Sequence, residues 1–78
     1  MALSHSSKHF AEKLNYCLDE TGAPAKFRDR VTVFSKMLDL PKQQAWSLLD
    51  GQQIPDVDLL NRISQEFEVD AKWLLDDN

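Results

Sequence analysis

The 78-residue chain contains little cysteine and glycine, and it has no long apolar run. Its single cysteine cannot form an internal disulfide, so a domain this small has no covalent cross-link to stabilise it. Two glycines are too few for a glycine-rich loop that cradles phosphate. Apolar runs reach only two or three residues, whereas roughly 20 are needed to cross a bilayer. The sequence therefore predicts a small domain that is stabilised by helix packing or by a partner subunit, without a membrane segment.

The amino-terminal sequence MALSHSSKHF lacks the apolar core of a secretory signal peptide. An unpaired thiol is typical of a reducing compartment. We therefore expect a cytoplasmic protein. Residues 1–5 are expected to be a flexible N-terminus, and residues 6–78 to form one domain.

Charge is unevenly distributed along the chain, although the net charge is only −4. Residues 1–42 hold seven basic and five acidic side chains, whereas residues 43–78 hold two basic and eight acidic ones. An acidic total disfavours indiscriminate binding to nucleic acid, but a phosphate backbone responds to the local potential. The asymmetry between the halves therefore matters more than the total.

The first periodic segment predicts a helix that begins at Ser6 or Ser7, because either hydroxyl can cap a free backbone N–H. The helix ends near Thr21-Gly22, where glycine can take the left-handed stop conformation. Residues 22–26 have the composition of a connection. The inward face of this helix is predicted to consist of Phe10, Leu14, Cys17 and Leu18.

A second helix is predicted from about Asp29 to Leu38, with a strand as the alternative because residues 31–33 are all β-branched. Residues 39–41 break it, since the residue before a proline avoids the α conformation. A third helix is predicted from Lys42 to Asp50. The predicted inward residues are Val31, Phe34 and Met37 or Leu38 in the second helix, and Ala45, Leu48 and Leu49 in the third.

The last third of the chain predicts two more helices. Asp56 can cap a fourth helix that reaches Glu68, and Asp70 can cap a short fifth one. The inward residues are Leu59, Leu60, Ile63 and Phe67 in the fourth helix, and Trp73 and Leu74 in the fifth. The predicted fold is an all-α, compact orthogonal bundle of about five short helices, since helices this short do not form long antiparallel pairs.

Catalytic motifs are lacking: neither G-x-S-x-G nor H-E-x-x-H occurs. Cys17 lies on a predicted inward face, where a small core residue is expected rather than a reactive thiol. His5 and His9 have a spacing that occurs in metal sites, but solvated imidazoles in a frayed terminus are the expected state. We expect no enzyme activity, metal or cofactor.

The second and third predicted helices, joined by a tight break, have the proportions of a helix-turn-helix. With its inward face buried, the third helix turns Gln43 and Ser47 outward, places Lys42 at its tip, and leaves Trp46 and Asp50 on the flank. Glutamine can form two hydrogen bonds with an adenine edge, and lysine can bind a guanine edge or a phosphate. An ordinary solvated helix face is the alternative that spacing alone leaves open.

Nearly the whole chain resembles the Cro/repressor-type (XRE, lambda-repressor-like) helix-turn-helix family, especially its phage-repressor-like branch. Residues 10–15 (FAEKLN) resemble the opening F-x-x-R/K-L-N, and residues 22–24 with Arg28 resemble a longer connection between the first two helices. The remaining similar segments are 41–45 (PKQQA, start of the recognition helix), 48–51 (LLDG, its W/L-L-x-G ending), 54–56 (IPD, loop and cap) and 69–75 (VDAKWLL, the closing V-x-x-x-W-L-L).

The resemblance implies a sequence-specific DNA-binding transcriptional regulator of bacterial or phage origin, acting as a repressor and associated with the nucleoid when it is bound to DNA. It implies a homodimer on a pseudo-palindromic operator in double-stranded DNA, a helix-turn-helix core at about residues 30–50, and insertion of helix 42–50 into the major groove. The implied base-reading residues are Lys42, Gln43, Gln44, Trp46 and Ser47. The implied phosphate contacts are Arg28, Arg30, Lys36, Gln52 and Gln53, and the expected dimer interface holds Trp73 and Leu75.

Three features depart from this family pattern. Trp46 and Ser47 stand where relatives commonly carry arginine or lysine, and the loop after the recognition helix holds two glutamines and no cation. Asp39 stands at a turn position that many relatives fill with glycine or another small residue. Fewer cations release fewer counterions, so DNA binding is expected to be weaker and less salt-dependent than in a basic relative. The alternative function is a helix-turn-helix-derived protein-interaction module that has lost DNA binding and docks a basic protein partner through Trp46 and its acidic half.

Overall fold

A computed structural model describes residues 6–75, which form five α-helices and no strand. The helices are α1 (Ser7–Glu20), α2 (Phe27–Leu38), α3 (Lys42–Leu49), α4 (Val57–Phe67) and α5 (Ala71–Leu75). The predicted all-α bundle is confirmed, and the β-branched residues 31–33 are helical. None of the described helices is long and apolar enough to cross a membrane. The N-terminus at residues 1–5, which was predicted to be flexible, lies outside the described residues.

All three predicted N-caps are formed by side chains. The Asp70 carboxylate accepts a hydrogen bond of 2.9 Å from the Lys72 backbone N–H at the start of α5. The Ser6 hydroxyl accepts a hydrogen bond of 3.3 Å from the His9 backbone N–H at the start of α1. The Asp56 carboxylate accepts one of 2.8 Å from the Leu59 backbone N–H at the start of α4. Each bond satisfies an N–H group that has no partner within the helix, so short polar side chains fix where these helices begin.

Helix α2 begins at Phe27, earlier than the predicted start at Asp29. Phe27 continues the apolar spacing of Val31, Phe34 and Leu38, so the helical period of the sequence extends to it. The turn-like composition of residues 22–26 concealed this start in the sequence. This earlier start places an aromatic side chain in the first turn of α2.

Each of the first four helices is followed by a residue with a left-handed backbone. The φ angles are 82° at Gly22, 56° at Asp39, 79° at Gly51 and 56° at Glu68. After α2, the Leu40 N–H donates to the Ser35 carbonyl across 2.8 Å, which is the long bond of a Schellman stop. Both glycines of the chain therefore serve as helix stops, while two acidic residues hold the same conformation less favourably.

Alanine at Gly51 and alanine at Gly22 are expected to destabilise the fold by similar amounts. Both variants place a side chain at a positive φ, which costs about 1 kcal/mol. At Gly51 the added Cβ lies 3.4 Å from the Lys8 Cα and 3.7 Å from the Ala11 Cβ, which are ordinary van der Waals contacts, and at Gly22 it meets nothing within 4 Å. We therefore expect each variant to lose about 1 kcal/mol in urea unfolding. A clearly larger loss at Gly51 would show that packing against α1 restricts this stop.

The core combines side chains from all five helices. The residues predicted to face inward are buried in it, except Phe67 and Trp73, which are half-buried at the edge of the core. Of the two alternatives Met37 and Leu38, Leu38 is buried and Met37 is half-buried. The buried apolar cluster consists of Phe10, Leu14, Cys17, Leu18, Val31, Phe34, Leu38, Ala45, Leu48, Leu49, Leu59, Leu60, Ile63 and Leu74. Burial of one face on every helix is what holds helices this short in place.

Side chains of α1 satisfy carbonyl groups at the end of α3. The Asn15 amide donates to the Leu49 carbonyl across 3.3 Å and to the Ala11 carbonyl across 2.8 Å. The Ser7 hydroxyl donates to the Gly51 carbonyl across 2.7 Å. Carbonyl groups in the last turn of a helix have no partner within the helix, so these bonds join α3 to α1 at one fixed end.

Two cationic side chains likewise donate hydrogen bonds to backbone carbonyl groups at the ends of α2 and α5. The Arg62 guanidinium of α4 donates to the Leu38 carbonyl in the last turn of α2. The Lys13 ammonium of α1 donates to the Trp73 carbonyl in α5 across 2.7 Å. Positive charge at these ends also complements the partial negative charge of the helix C-terminus. Hydrogen bonds between elements thus supplement the apolar core.

Candidate nucleic-acid interface

Helices α2 and α3 form one unit, joined by the three residues Asp39, Leu40 and Pro41. Helix α3 packs chiefly against α2 and also against α1. Its inward residues Ala45, Leu48 and Leu49 are all buried, as predicted. The orientation of α3 is therefore fixed from both sides, and its outer face is presented as a rigid surface.

The outer face of α3 is polar and available. Lys42 and Gln43 are exposed, and Gln44 and Ser47 are partly exposed. Within residues 6–75 none of these four side chains forms a hydrogen bond or an ion pair. Trp46, on the flank, is 42% exposed. The structure thus brings the five predicted base-reading residues onto one short helix and leaves their polar groups free for an external partner.

Arg30 is not available for a phosphate, so its predicted contact is wrong. The side chain is buried, at 6% exposed, and its guanidinium lies among acceptors of the protein itself. It donates to the Pro24 carbonyl (2.8 Å), to the Asn15 carbonyl (3.2 Å), to the Asn15 side chain (3.1 Å) and to the Asp19 carboxylate (2.5 Å). Arg30 therefore joins α1, α2 and their connection.

The other two predicted arginine and lysine anchors differ in their surroundings. Arg28 and Lys36 are both exposed on α2, and neither has a partner among residues 6–75. Arg28 lines a cleft together with Lys42 of α3, whereas Lys36 does not. The structure therefore places Arg28 beside the candidate recognition helix α3. Lys36 is a second exposed cation of α2, but it lies outside this cleft.

The two glutamines of the loop after α3 differ in their side-chain bonds. The Gln52 amide donates to the Asp50 carboxylate across 2.7 Å, which uses one of its two N–H donors. The Gln53 side chain is exposed and forms no hydrogen bond within the described residues. Gln52 therefore keeps one N–H donor for the predicted phosphate contact beside the Asp50 carboxylate, and Gln53 keeps both.

Helices α2 and α3 begin without a side-chain cap, unlike α1 and α4. Their N-cap residues are Lys26 and Pro41, and neither provides an acceptor for the free N–H groups of the first turn. The first turn of α3 also carries no acidic residue. Uncapped N–H groups and the positive end of the helix dipole favour an anion such as a DNA phosphate.

Phe27 and Trp46 form an aromatic pair across the two helices. Their ring centroids are 6.1 Å apart at 78°, an edge-to-face contact. The cleft around them carries the cations Arg28 and Lys42. These charges disfavour docking of the basic partner that was expected at Trp46. Sequence reasoning missed Phe27, although its spacing to Val31 was a usable signal.

The predicted dimer residues lie where α5 meets α1. Trp73 is half-buried; its ring lies edge-to-face with Tyr16 at 6.2 Å, and the Lys13 ammonium lies 5.2 Å from its centroid. Leu75 is also half-buried, and Tyr16 is 54% exposed. Trp73 therefore packs at the edge of the core. It also contacts the exposed ring of Tyr16, which the sequence had not indicated.

Residues with catalytic potential are few in the described part of the chain. Cys17 is buried, and burial together with the nearby charge of Glu20 raises the pKa of its thiol, so the nucleophilic thiolate is disfavoured. Residues 6–75 contain no group of three or more metal-ligating side chains. His9 is exposed on α1, and His5 lies outside the described residues.

No protein-family model matches this chain, and neither the curated proteins nor the solved structures give a match. The features that bear on function are the sequence motifs and the geometry of α2 and α3. Packing fixes the inner face of α3, whereas the polar side chains of its outer face have no partner within residues 6–75.

Proposed function

We propose that this protein is a sequence-specific DNA-binding regulator that represses transcription by inserting α3 into the major groove. The supporting observation is that α3 is fixed by its buried side chains while the polar side chains of Lys42, Gln43 and Ser47 are free. A helix with its side chains is about 10 to 12 Å wide, and the major groove is about 12 Å wide. A short, rigid, polar helix suits that groove.

In this proposal each outward side chain of α3 has a role in base recognition. Gln43 and Gln44 offer amides that can bind an adenine edge through two hydrogen bonds. Lys42, at the tip, binds a guanine edge or a phosphate, and Ser47 accepts or donates to any edge within reach. Trp46 provides apolar surface for a thymine methyl group. Specificity would therefore come from amides and an indole more than from charge.

Backbone contacts would orient α3 on the DNA. Arg28 and Lys36 supply cations on α2, Gln53 supplies an amide, and the uncapped starts of α2 and α3 supply N–H groups. Because backbone N–H groups carry no net charge, they can hold phosphates in a protein whose net charge is −4. Loss of Arg30 from this set lowers the number of released counterions further, which favours weak salt dependence.

A homodimer would place two copies of α3 on successive major grooves, about 34 Å apart. The surface formed by Tyr16, Trp73 and Leu75 is the proposed contact between the copies, since aromatic residues are enriched in such interfaces. Sedimentation with and without DNA tests this part of the proposal. A strict monomer at high concentration, both free and on DNA, would contradict it.

Selection from a random pool of double-stranded DNA at low salt tests binding and specificity together. The expected result is a two-fold motif whose half-sites lie about one helical turn apart. A folded protein that enriches no sequence contradicts the proposal. That result would favour the protein-interaction module, and capture of a protein partner that requires Trp46 would then support it.

Replacing Gln43 with alanine is expected to weaken binding to the selected DNA about tenfold and to relax the preference at one base pair. The reason is that the amide loses a two-bond contact worth about 1 to 3 kcal/mol. Gln65→Ala is the matched control, because Gln65 is an exposed glutamine on α4. Fluorescence anisotropy with the selected site and with single-base variants measures both effects. Equal affinities for the two variants would remove Gln43 from the readout.

A further inference from the structure

A cleft of about 480 Å³ lies between the first half of α2 and the side of α3 that carries Lys42 and Trp46. Sites that hold small organic ligands measure about 300 to 1,000 Å³, so this cleft has a suitable size. The lining residues are Phe27, Arg28, Val31, Thr32, Lys42 and Trp46. The chemistry of these side chains indicates which kind of ligand would fit.

One part of the lining is apolar and aromatic. Phe27 and Trp46 remain 37% and 42% exposed although their rings contact each other. Val31, only 6% exposed, adds buried apolar surface beneath them. A planar apolar group that enters the cleft would remove this surface from water, and aromatic rings bind such groups by stacked or edge-on contact.

The other part of the lining is cationic. Arg28 comes from α2 and Lys42 from α3, both side chains are exposed, and neither has a partner among residues 6–75. Among residues 6–75, no acidic side chain lines the cleft. A guanidinium presents a fork that matches a carboxylate, and an ammonium can approach the same group as a point charge. A negatively charged ligand is therefore favoured.

We propose that this cleft binds a small aromatic carboxylate. Its ring lies against Phe27 and Trp46, and its carboxylate lies between Arg28 and Lys42. A neutral aromatic molecule would use only the first pair, and a simple inorganic anion only the second. Because Lys42 and Trp46 also belong to the proposed base-reading face, a bound carboxylate releases DNA; this consequence alone rests on the proposed function.

The test is a titration of the full ¹⁵N-labelled chain with 1-naphthylacetate, followed by NMR. The chain has two tryptophans, so the indole N–H signal of Trp46 reports on the cleft and that of Trp73 serves as an internal reference. We expect a saturable shift of the Trp46 signal with a midpoint of about 1 mM, which corresponds to a dissociation constant suited to a ligand of this size. The neutral 1-naphthylacetamide and acetate should each bind at least about threefold more weakly.

Variants separate the two halves of the cleft. Arg28→Gln and Lys42→Gln should each weaken naphthylacetate about three- to fivefold and leave naphthylacetamide unchanged, because they remove charge only. Lys36→Gln is the matched control, since Lys36 is an exposed cation of α2 that does not line the cleft. Equal binding of the acid and the amide would overturn the proposal. So would a parallel shift of the Trp73 signal, or an equal effect of Lys36→Gln.

A second arm adds naphthylacetate to the complex with the selected DNA. We expect release of the DNA over the same concentration range as the NMR shift, and no release by naphthylacetamide. If the protein binds DNA but the Trp46 signal does not move, only the ligand site is refuted. If no DNA is selected while the Trp46 signal moves and saturates, the proposed function fails and the ligand site stands.

Discussion

Replacing Phe34 with alanine is expected to lower the free energy of unfolding by about 3 to 5 kcal/mol. Phe34 has no exposed surface and is among the largest fully buried side chains of α2 and of the whole core. Its truncation leaves a cavity in a cluster to which all five helices contribute. Small domains have only about 5 to 15 kcal/mol in total, so this variant loses a large part of its stability.

Phe27→Ala is the matched control, since both phenylalanines belong to α2 and Phe27 is 37% exposed. We expect Phe27→Ala to lower the free energy of unfolding by about 1 kcal/mol, because Phe27 buries less apolar surface than Phe34. Urea unfolding followed by circular dichroism measures both losses. If Phe34→Ala does not fold at all, Phe34→Leu should still unfold cooperatively at a lower urea concentration than the parent. Equal losses at the two positions would contradict the described core.

Replacing Arg30 with methionine is expected to destabilise the protein by about 2 to 4 kcal/mol. Methionine keeps the apolar stem but removes every donor, so the partly buried hydrogen bonds to Asn15 and Pro24 are lost. Asp19→Asn should cost about 1 kcal/mol or less, because the Asp19 side chain is 61% exposed and water replaces much of the ion pair. Thermal and urea unfolding measure the two variants side by side.

Arg28→Met provides the opposite pattern on the same helix. Arg28 is exposed and has no partner within residues 6–75, so its replacement should leave the free energy of unfolding within about 0.5 kcal/mol of the parent. If the protein binds DNA as proposed, Arg28→Met weakens that binding, whereas Arg30→Met leaves the affinity of the folded fraction unchanged. A loss of affinity in folded Arg30→Met would restore Arg30 as a phosphate contact.

The beginnings and ends of most helices were predictable because each depends on a few adjacent residues. Ser6 and Asp56 cap the helices that they precede, and Gly22 and Gly51 stop the helices that they follow. The period of apolar residues likewise predicted the buried faces. The start of α2 at Phe27 was the exception, since residues 22–26 have the composition of a turn and hid the continuing period.

The outer face of α3 was also predictable in outline. Once the apolar residues of a short helix are turned inward, the geometry of the helix assigns Gln43 and Ser47 to the outside. The role of Arg30 could not be inferred in the same way. An arginine near a predicted helix start is normally exposed, and only the approach of Asn15 and Asp19 from α1 makes it a buried structural residue.

By itself, the sequence determined the all-α class, the helix stops and the polar character of the α3 surface, because these follow from helical periodicity and from interactions between near neighbours. Only the tertiary structure decided which side chains meet across helices. The Asn15 amide reaches the Leu49 carbonyl, and Phe27 reaches Trp46, across long stretches of chain. Such pairs depend on how whole helices pack, so no local pattern encodes them. The Phe27–Trp46 pair lines the cleft that also carries the two cations Arg28 and Lys42.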